Sequence, residues 1–333
     1  MKLASLKHGR DGRLVVVSRD LTRATDAFIV VPTLQQALDD WPRYAPALAL
    51  LAEQLEIGSV PSFRFHEHAC AAPLPRAYAR LHASAWPGHR ALLRQAEGAE
   101  APATSDPGPL RHAVSDGFLG PRDPIPAADP AASLDLAAGL AAITRDVGQG
   151  ADAAEAERAV CLVTLVAEVI RRDRLPADGL DLAGALAPGL AASFAPVAVT
   201  PDELAPSWRD GMMQRPLLVT RNGQKLGCPE AGSDLGHGLV DLVARAARHH
   251  PLGAGTLVSA GPVSNRGIDG GPGRPAAEGG VGYACLAEAR AAEVLRTGWA
   301  KTPYLTAGDR IRIEAKDAAG HSLFGAIEHD VAG

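Results

Sequence analysis

The pattern of apolar and polar positions divides the chain into short strands punctuated by turns, with a few amphipathic helices between them. Leu3–Lys7 and Arg13–Ser18 read as two short strands, and Gly9–Gly12 supplies the turn that joins them. Thr33 is a candidate N-cap for a helix in which Leu34, Leu38 and Trp41 recur at helical spacing. Leu48, Leu51 and Leu55 continue an apolar side through Pro46–Ile57 until Gly58 stops it. The run Ser133–Val147, SLDLAAGLAAITRDV, is apolar at Leu134, Leu136, Leu140 and Ile143 with Ala and Gly between them. Periodicity alone fits either a buried strand or a buried helical turn there. Asp152–Arg174 predicts a helix: Ala156, Ala159, Val160, Val163 and Val166 fall on one side, and Asp152, Glu155 and Glu157 occupy the first turns, where the helix dipole favours acids. Leu217–Gly227 predicts a hairpin about Asn222-Gly223, a type I′ turn signal. Leu239–His249 predicts an amphipathic helix, and Pro303–Val331 predicts three strands with turns at Gly308-Asp309 and Ala318–Gly320.

Composition narrows the class. At 333 residues the chain is long enough for one large domain plus a small one, with a real core. A net charge of −5 gives no electrostatic footprint for nucleic acid or an anionic membrane. No apolar run approaches the roughly 20 residues of a membrane helix. The charged N-terminus, MKLASLKHGRDGR, lacks a following apolar region, so no signal peptide is expected. Cys70, Cys161, Cys228 and Cys285 are scattered without a CxxC, which argues against a zinc or disulfide framework and for a reducing, cytoplasmic location. Abundant Gly (35) and Pro (26) with only 4% aromatics favour a turn-rich, strand-rich architecture over a helical bundle.

Candidate chemistry is sparse. His66 and His68, on a strand, would face one way and could bind metal, although the plainer reading is a polar strand edge. Ala99–Leu110 is a small, Pro-rich loop. In FLGPRDPIP, Phe118–Pro126, Gly120 and the prolines fix a turn that carries Arg122 and Asp123. The Gly-rich PLGAGTLVSAGPVSN, Pro251–Asn265, places Gly261-Pro262 before Ser264 and Asn265. Arg266–Tyr283 is a long Gly/Pro loop of the kind that forms lids.

Taken together, Phe118–Pro126, Ser133–Val147 and the chain from Phe194 onward resemble the fumarylacetoacetate hydrolase family over nearly the whole length. The resemblance implies a strand-rich α+β fold, a mixed β-sandwich/β-roll, with a small N-terminal domain over residues 1–72 and a catalytic-type domain over 73–333. It also implies Mg²⁺, Mn²⁺ or Ca²⁺ held by carboxylates, acting on a 2-oxo acid or 1,3-dicarbonyl compound. Here the family's Asp-Phe-Glu-x-Glu strand reads Asp135, Leu136, Ala137, Ala138, Gly139, so both glutamate positions lack a carboxylate. The family's Asn-Asp-Val reads Ala167, Glu168, Val169, which keeps one acid. A further ligand position aligns with Gly88 in Trp86-Pro87-Gly88-His89, the oxyanion lysine with Gly189, and the carboxylate-anchoring Gly-Thr with Gly261-Pro262. Proline removes both the hydroxyl and the N–H of that anchor. Glu288 falls near an acid that works with a histidine on water in the family.

Hard dications need several oxygen ligands, so the resemblance implies a lost metal and no cofactor. Two readings follow. In the first, a metal-independent enzyme uses Glu168, His89 and Glu288 as acids and bases, with Arg122, Ser264 and Asn265 binding a small carbonyl substrate. Glu168, in an apolar pocket, would then have a raised pKa. In the second, an inactive paralogue serves as a binding or scaffold subunit. The family commonly dimerises, so a homodimer, or a heteromer with an active relative, is expected.

Overall fold

The computed structural model describes residues 1–100, 110–126, 133–174 and 189–333. Among them, an eleven-stranded mixed sheet carries the core, and a four-stranded antiparallel sheet closes the C-terminal end. The centre of the large sheet is the antiparallel pair Leu134–Thr144 and Val160–Arg171, in register from Leu134↔Arg171 to Ala142↔Val163 and beyond. Every residue of Leu134–Thr144 is buried. Both faces of that strand are covered, which is why its sequence runs apolar instead of alternating.

The segment Asp152–Arg174 departs from the expected single helix. The helix is only Ala153–Ala159, started by a reciprocal capping box between Asp152 and Glu155. From Val160 the chain becomes strand to Arg171. Its β-branched run, VCLVTLVAEVI, suits a pleated, doubly covered surface better than a helix interior. The acids at its start belong to the short helix, so they did not predict the long one.

Thr256–Pro262 lies antiparallel to Leu134–Thr144, and Ala79–His82 lies parallel to Thr256–Pro262. The N-terminal strands Lys2–Leu6, Arg13–Val17 and Arg23–Asp26 extend the same sheet through the short strand Ala198–Val199. Thr33 caps the helix Leu34–Asp39, and its hydroxyl accepts from Gln36 N–H. The long helix Trp41–Glu56 then buries Leu48, Leu51 and Leu55. His66 and His68 do not lie on a strand: Glu67–Ala69 is a single 3₁₀ turn. The Asn222-Gly223 turn has positive φ at both residues, 52° and 76°, as type I′ requires. The second amphipathic helix ends at Ala246. Of the three C-terminal strands expected, Arg310–Lys316 and Ser322–Asp330 form, while the first is reduced to a bridge between Leu305 and Leu134. Residues 101–109 of the Pro-rich loop and 181–188, before the Gly189 position, lie outside the described residues. No helix among the described residues is long and apolar enough to cross a membrane, and the four cysteines are free.

Candidate active site

Strand alternation builds the first part of the site. On Ala79–His82, Arg80 and His82 share one face while Leu81 enters the core on the other. That face meets Glu168, which stands opposite Ala137 in the central pair. Arg80 Nη2 donates to Glu168 Oε1 at 2.6 Å, and His82 Nδ1 lies 2.9 Å from the same oxygen. Arg80 and Glu168 are both buried. Burial pushes the Glu168 carboxyl up, but the neighbouring His82 and Arg80 outweigh it and hold the group down at about 2. The expected raised pKa is therefore reversed. The pocket around Glu168 is not apolar; it carries a guanidinium and an imidazole brought from a strand distant in sequence.

Helix packing builds the second part. Pro87 opens the helix Pro87–Ala96, where a missing N–H costs nothing. The preceding Trp86 is fully buried and donates its indole N–H to Ser233 O at 3.1 Å, which fixes the helix entry. The helix Leu286–Thr297 packs against it through Leu92, Ala289 and Ala292, and the small alanines allow close approach. Asp135 accepts the backbone N–H of Leu286 at 2.8 Å at the start of that helix, while Arg172 Nη2 pairs with the other Asp135 oxygen at 2.7 Å. Asp135, the surviving acid of the altered strand, is thus a helix anchor.

This packing brings His89 and Glu288 together: His89 Nδ1 is 3.7 Å from Glu288 Oε1, and the Ser264 hydroxyl donates to that oxygen. Both residues are buried, yet among the described residues His89 Nδ1 and Glu288 Oε2 have no hydrogen-bond partner. Cys285, fully buried at the helix N-cap, accepts the Glu288 N–H at 3.4 Å. Burial, with Asp135 and Glu288 nearby, pushes its thiol well above the usual range.

The two parts face one cavity of about 330 Å³, lined by His82, His89, Arg90, Arg111, Arg172 and Pro262. Its lining carries three arginines and two histidines, with Arg172 already paired to Asp135. A smaller cavity of about 230 Å³ lies beyond Glu288, beside Ser264, Asn265, Arg266 and the Gly270–Gly273 stretch.

The structure thus brings His89, Glu288 and Ser264 together and sets Glu168 behind His82 at the same cavity. Asn265 lines the smaller cavity, but its amide holds backbone, accepting from Glu230 N–H at 2.7 Å. Arg122 stands apart from the site, paired with Glu67 and, at 2.6 Å, with Glu328. Gly88 does not face Glu168 either. It lies on the helix beside Arg266 and Ser264, and the group that segment turns toward Glu168 is His82. Arg80, His82, Arg111 and Arg172 escaped the sequence reading. The period-two spacing of Arg80 and His82 about Leu81 was the available signal.

The residues around Glu168 do not fit a hard dication. Ala137 offers no ligand atom. Gly139 has no room for one, because a Cβ there would stand 2.0 Å from the Gly261 carbonyl oxygen. The remaining carboxylate already accepts from a guanidinium, whose charge repels a cation.

A family model described as fumarylacetoacetase N-terminal domain 2 matches residues 1–76, and one described as fumarylacetoacetate (FAA) hydrolase C-terminal matches residues 85–332. Among solved structures, an HpcE protein from Mycobacterium smegmatis is similar at a TM-score of 0.68 and 18% identity, covering 100% of this chain and 99% of that one. A fumarylacetoacetate hydrolase from psychrophilic Exiguobacterium antarcticum is similar at a TM-score of 0.66 and 16% identity, with 100% and 99% covered. A maleylpyruvate hydrolase from Sphingobium sp. SYK-6, in complex with manganese(II) ion and pyruvate, is similar at a TM-score of 0.62 and 15% identity, with 100% and 99% covered. No curated protein matches the chain in sequence.

Proposed function

The chain belongs to the fumarylacetoacetate hydrolase family, and from that premise we propose that it acts on a small anionic 2-oxo acid or 1,3-dicarbonyl compound without a divalent metal at the family's carboxylate positions. The observation that carries this reading is the cavity itself, where Arg90, Arg111 and Arg172 are grouped with two histidines that each face a buried glutamate. A low-dielectric cleft lined by one sign of charge concentrates ligands of the other sign. The relative bound with manganese(II) and pyruvate supports a carbonyl acid as the ligand class.

The chemistry within reach is enolisation followed by C–C cleavage, decarboxylation or isomerisation. Glu168 Oε1 faces His82 Nδ1 and so orients the ring, the arrangement of an oriented acid–base group. His89 and Glu288 form the second proton-handling pair, with Ser264 fixing one Glu288 oxygen. Arg90 and Arg111 at the cavity wall hold the substrate carboxylate and offset charge that develops on an enolate oxygen, a part otherwise played by a Lewis acid, while Arg172 is committed to Asp135.

One observation favours the alternative of a non-catalytic binding subunit: Glu168 is locked between two cationic partners, as a structural ion pair would be. Turnover separates the two. A panel of acylpyruvates and oxaloacetate, assayed with Mg²⁺ and with EDTA, is expected to show activity that EDTA leaves unchanged. Activity abolished by EDTA would overturn metal independence, and no turnover of any member would favour the binding subunit.

A further inference from the structure

We propose that His89, Cys285 and Glu288 form a binding site for a thiophilic divalent cation, of which Zn²⁺ is the representative, and that occupation of this site switches the acid–base pair off. The site is separate from the family's carboxylate positions. One nitrogen, one sulfur and one carboxylate oxygen lie within 4.8 Å of one another, all from buried residues. Two buried atoms of these residues, His89 Nδ1 and Glu288 Oε2, lack any hydrogen-bond partner among the described residues. Buried polar atoms are nearly always paired, so two orphans on residues of one cluster mark a place where a ligand would fit. The separation of His89 Nδ1 from the other carboxylate oxygen, Oε1, which also accepts from Ser264, points the same way. At 3.7 Å it is too long for a hydrogen bond. Two ligands of one tetrahedral ion with bonds of about 2.0–2.2 Å sit only slightly closer, at roughly 3.3–3.5 Å.

The donor set decides which ion. Imidazole, thiolate and a single carboxylate suit Zn²⁺ and other borderline or soft cations, whereas Mg²⁺, Mn²⁺ and Ca²⁺ prefer all-oxygen shells. Cys285 is also the N-cap of the twelve-residue helix Leu286–Thr297; burial keeps its free thiol protonated, so the thiolate forms only as the ion binds. His89 lines the main cavity and so gives the ion a way in. On binding, Zn–N, Zn–S and Zn–O bonds form, and the Cys285 thiol proton leaves to solvent. No redox change is involved. Three protein ligands leave a fourth position for water or for a group of the substrate.

Binding stands independently of the proposed reaction; only the switching effect rests on it. The experiment therefore reads binding first, on the intact chain purified with chelator and then dialysed against Zn²⁺. About one retained equivalent per chain is expected by elemental analysis, together with a thiolate-to-metal charge-transfer band when Co²⁺ replaces Zn²⁺. Cys285→Ser should weaken retention tenfold or more, since even losing an outer partner of a metal ligand costs about 10–100-fold, and should remove the band. The Co²⁺ spectrum of the unaltered chain needs no variant, so a misfolded Cys285→Ser leaves the proposal testable. No retained Zn²⁺, a bound Co²⁺ without the thiolate band, or equal retention by Cys285→Ser would each overturn it. Where a substrate has been found, Zn²⁺ should inhibit the unaltered chain and spare Cys285→Ser; inhibition of both alike would refute the switch while leaving the site.

Discussion

Two histidine–glutamate pairs flank one cavity and are built on opposite electrostatic plans. At His82–Glu168 the carboxylate is over-supplied with positive charge: Arg80 donates to the oxygen that His82 also faces, and the acid stays ionised far into the acidic range. At His89–Glu288 the pair is under-supplied, with a 3.7 Å gap, one serine donor and two atoms left without partners. The difference separates two uses of a buried carboxylate. The first is held ionised by Arg80 and orients the His82 ring. The second retains unspent binding capacity, which is what proton transfer or an ion requires.

The largest expected effect tests the first plan. Glu168→Ala leaves Arg80 buried without its partner, and breaking such a pair costs about 3–5 kcal/mol. Urea unfolding should register that loss. Replacing both residues by apolar ones, Arg80→Met with Glu168→Leu, should recover most of it, because the pair repays little beyond its own desolvation. A loss under about 1 kcal/mol in the single variant would match an exposed pair and would erase the contrast.

The second plan predicts the reverse profile. Glu288→Gln is nearly isosteric and should leave unfolding almost unchanged while turnover falls by about 10²-fold or more. A large stability loss without a catalytic one would make this pair structural as well.

Gly139→Ala probes why the first plan exists. Its Cβ would collide with the Gly261 carbonyl oxygen at 2.0 Å, and such overpacking costs about 1–3 kcal/mol. A variant as stable as the parent would mean that the strands yield there and that a carboxylate could be restored.

The smallest effect is on pH dependence. The folded-state pKa of Glu168 lies below its ordinary value, so the stability it contributes is complete above the usual carboxylate range and is lost as pH falls toward about 2. Glu168→Gln should flatten that part of the acid-unfolding curve. An unchanged acid limb would mean that Glu168 is not held ionised.

How much of this was legible in the sequence varies with the physics involved. The strand-rich fold and its family were readable, because buried strands, the Asn222-Gly223 turn and the glycine-rich segments leave local patterns. The loss of carboxylates at Ala137 and Gly139 was readable as residue identity. The steric reason at Gly139 was not, since it depends on the Gly261 backbone of another strand. The strand Val160–Arg171 carries a helical signal because a genuine helix start at Asp152 precedes it, and the acids of that start belong to the short helix alone. Glu168 was found, but its environment was not. Arg80 reaches it from a strand far away in sequence, and long-range charge pairing leaves no periodic trace. His89 and Glu288 were both named, yet their meeting depends on two helices packing through small residues. Arg122 drew attention because it stands in a conspicuous turn, and the charges that claim it, Glu67 and Glu328, are equally non-local.

The central claim is that Arg80 and His82 occupy the electrostatic role at Glu168 that a divalent metal would otherwise fill. The most direct test is Mn²⁺ binding, followed by electron paramagnetic resonance, in the parent chain and in Glu168→Gln. The account predicts no Mn²⁺ binding that depends on Glu168: both proteins should leave the aqueous Mn²⁺ signal equally intact. Binding by the parent that Glu168→Gln abolishes would contradict it and return the carboxylate to a metal.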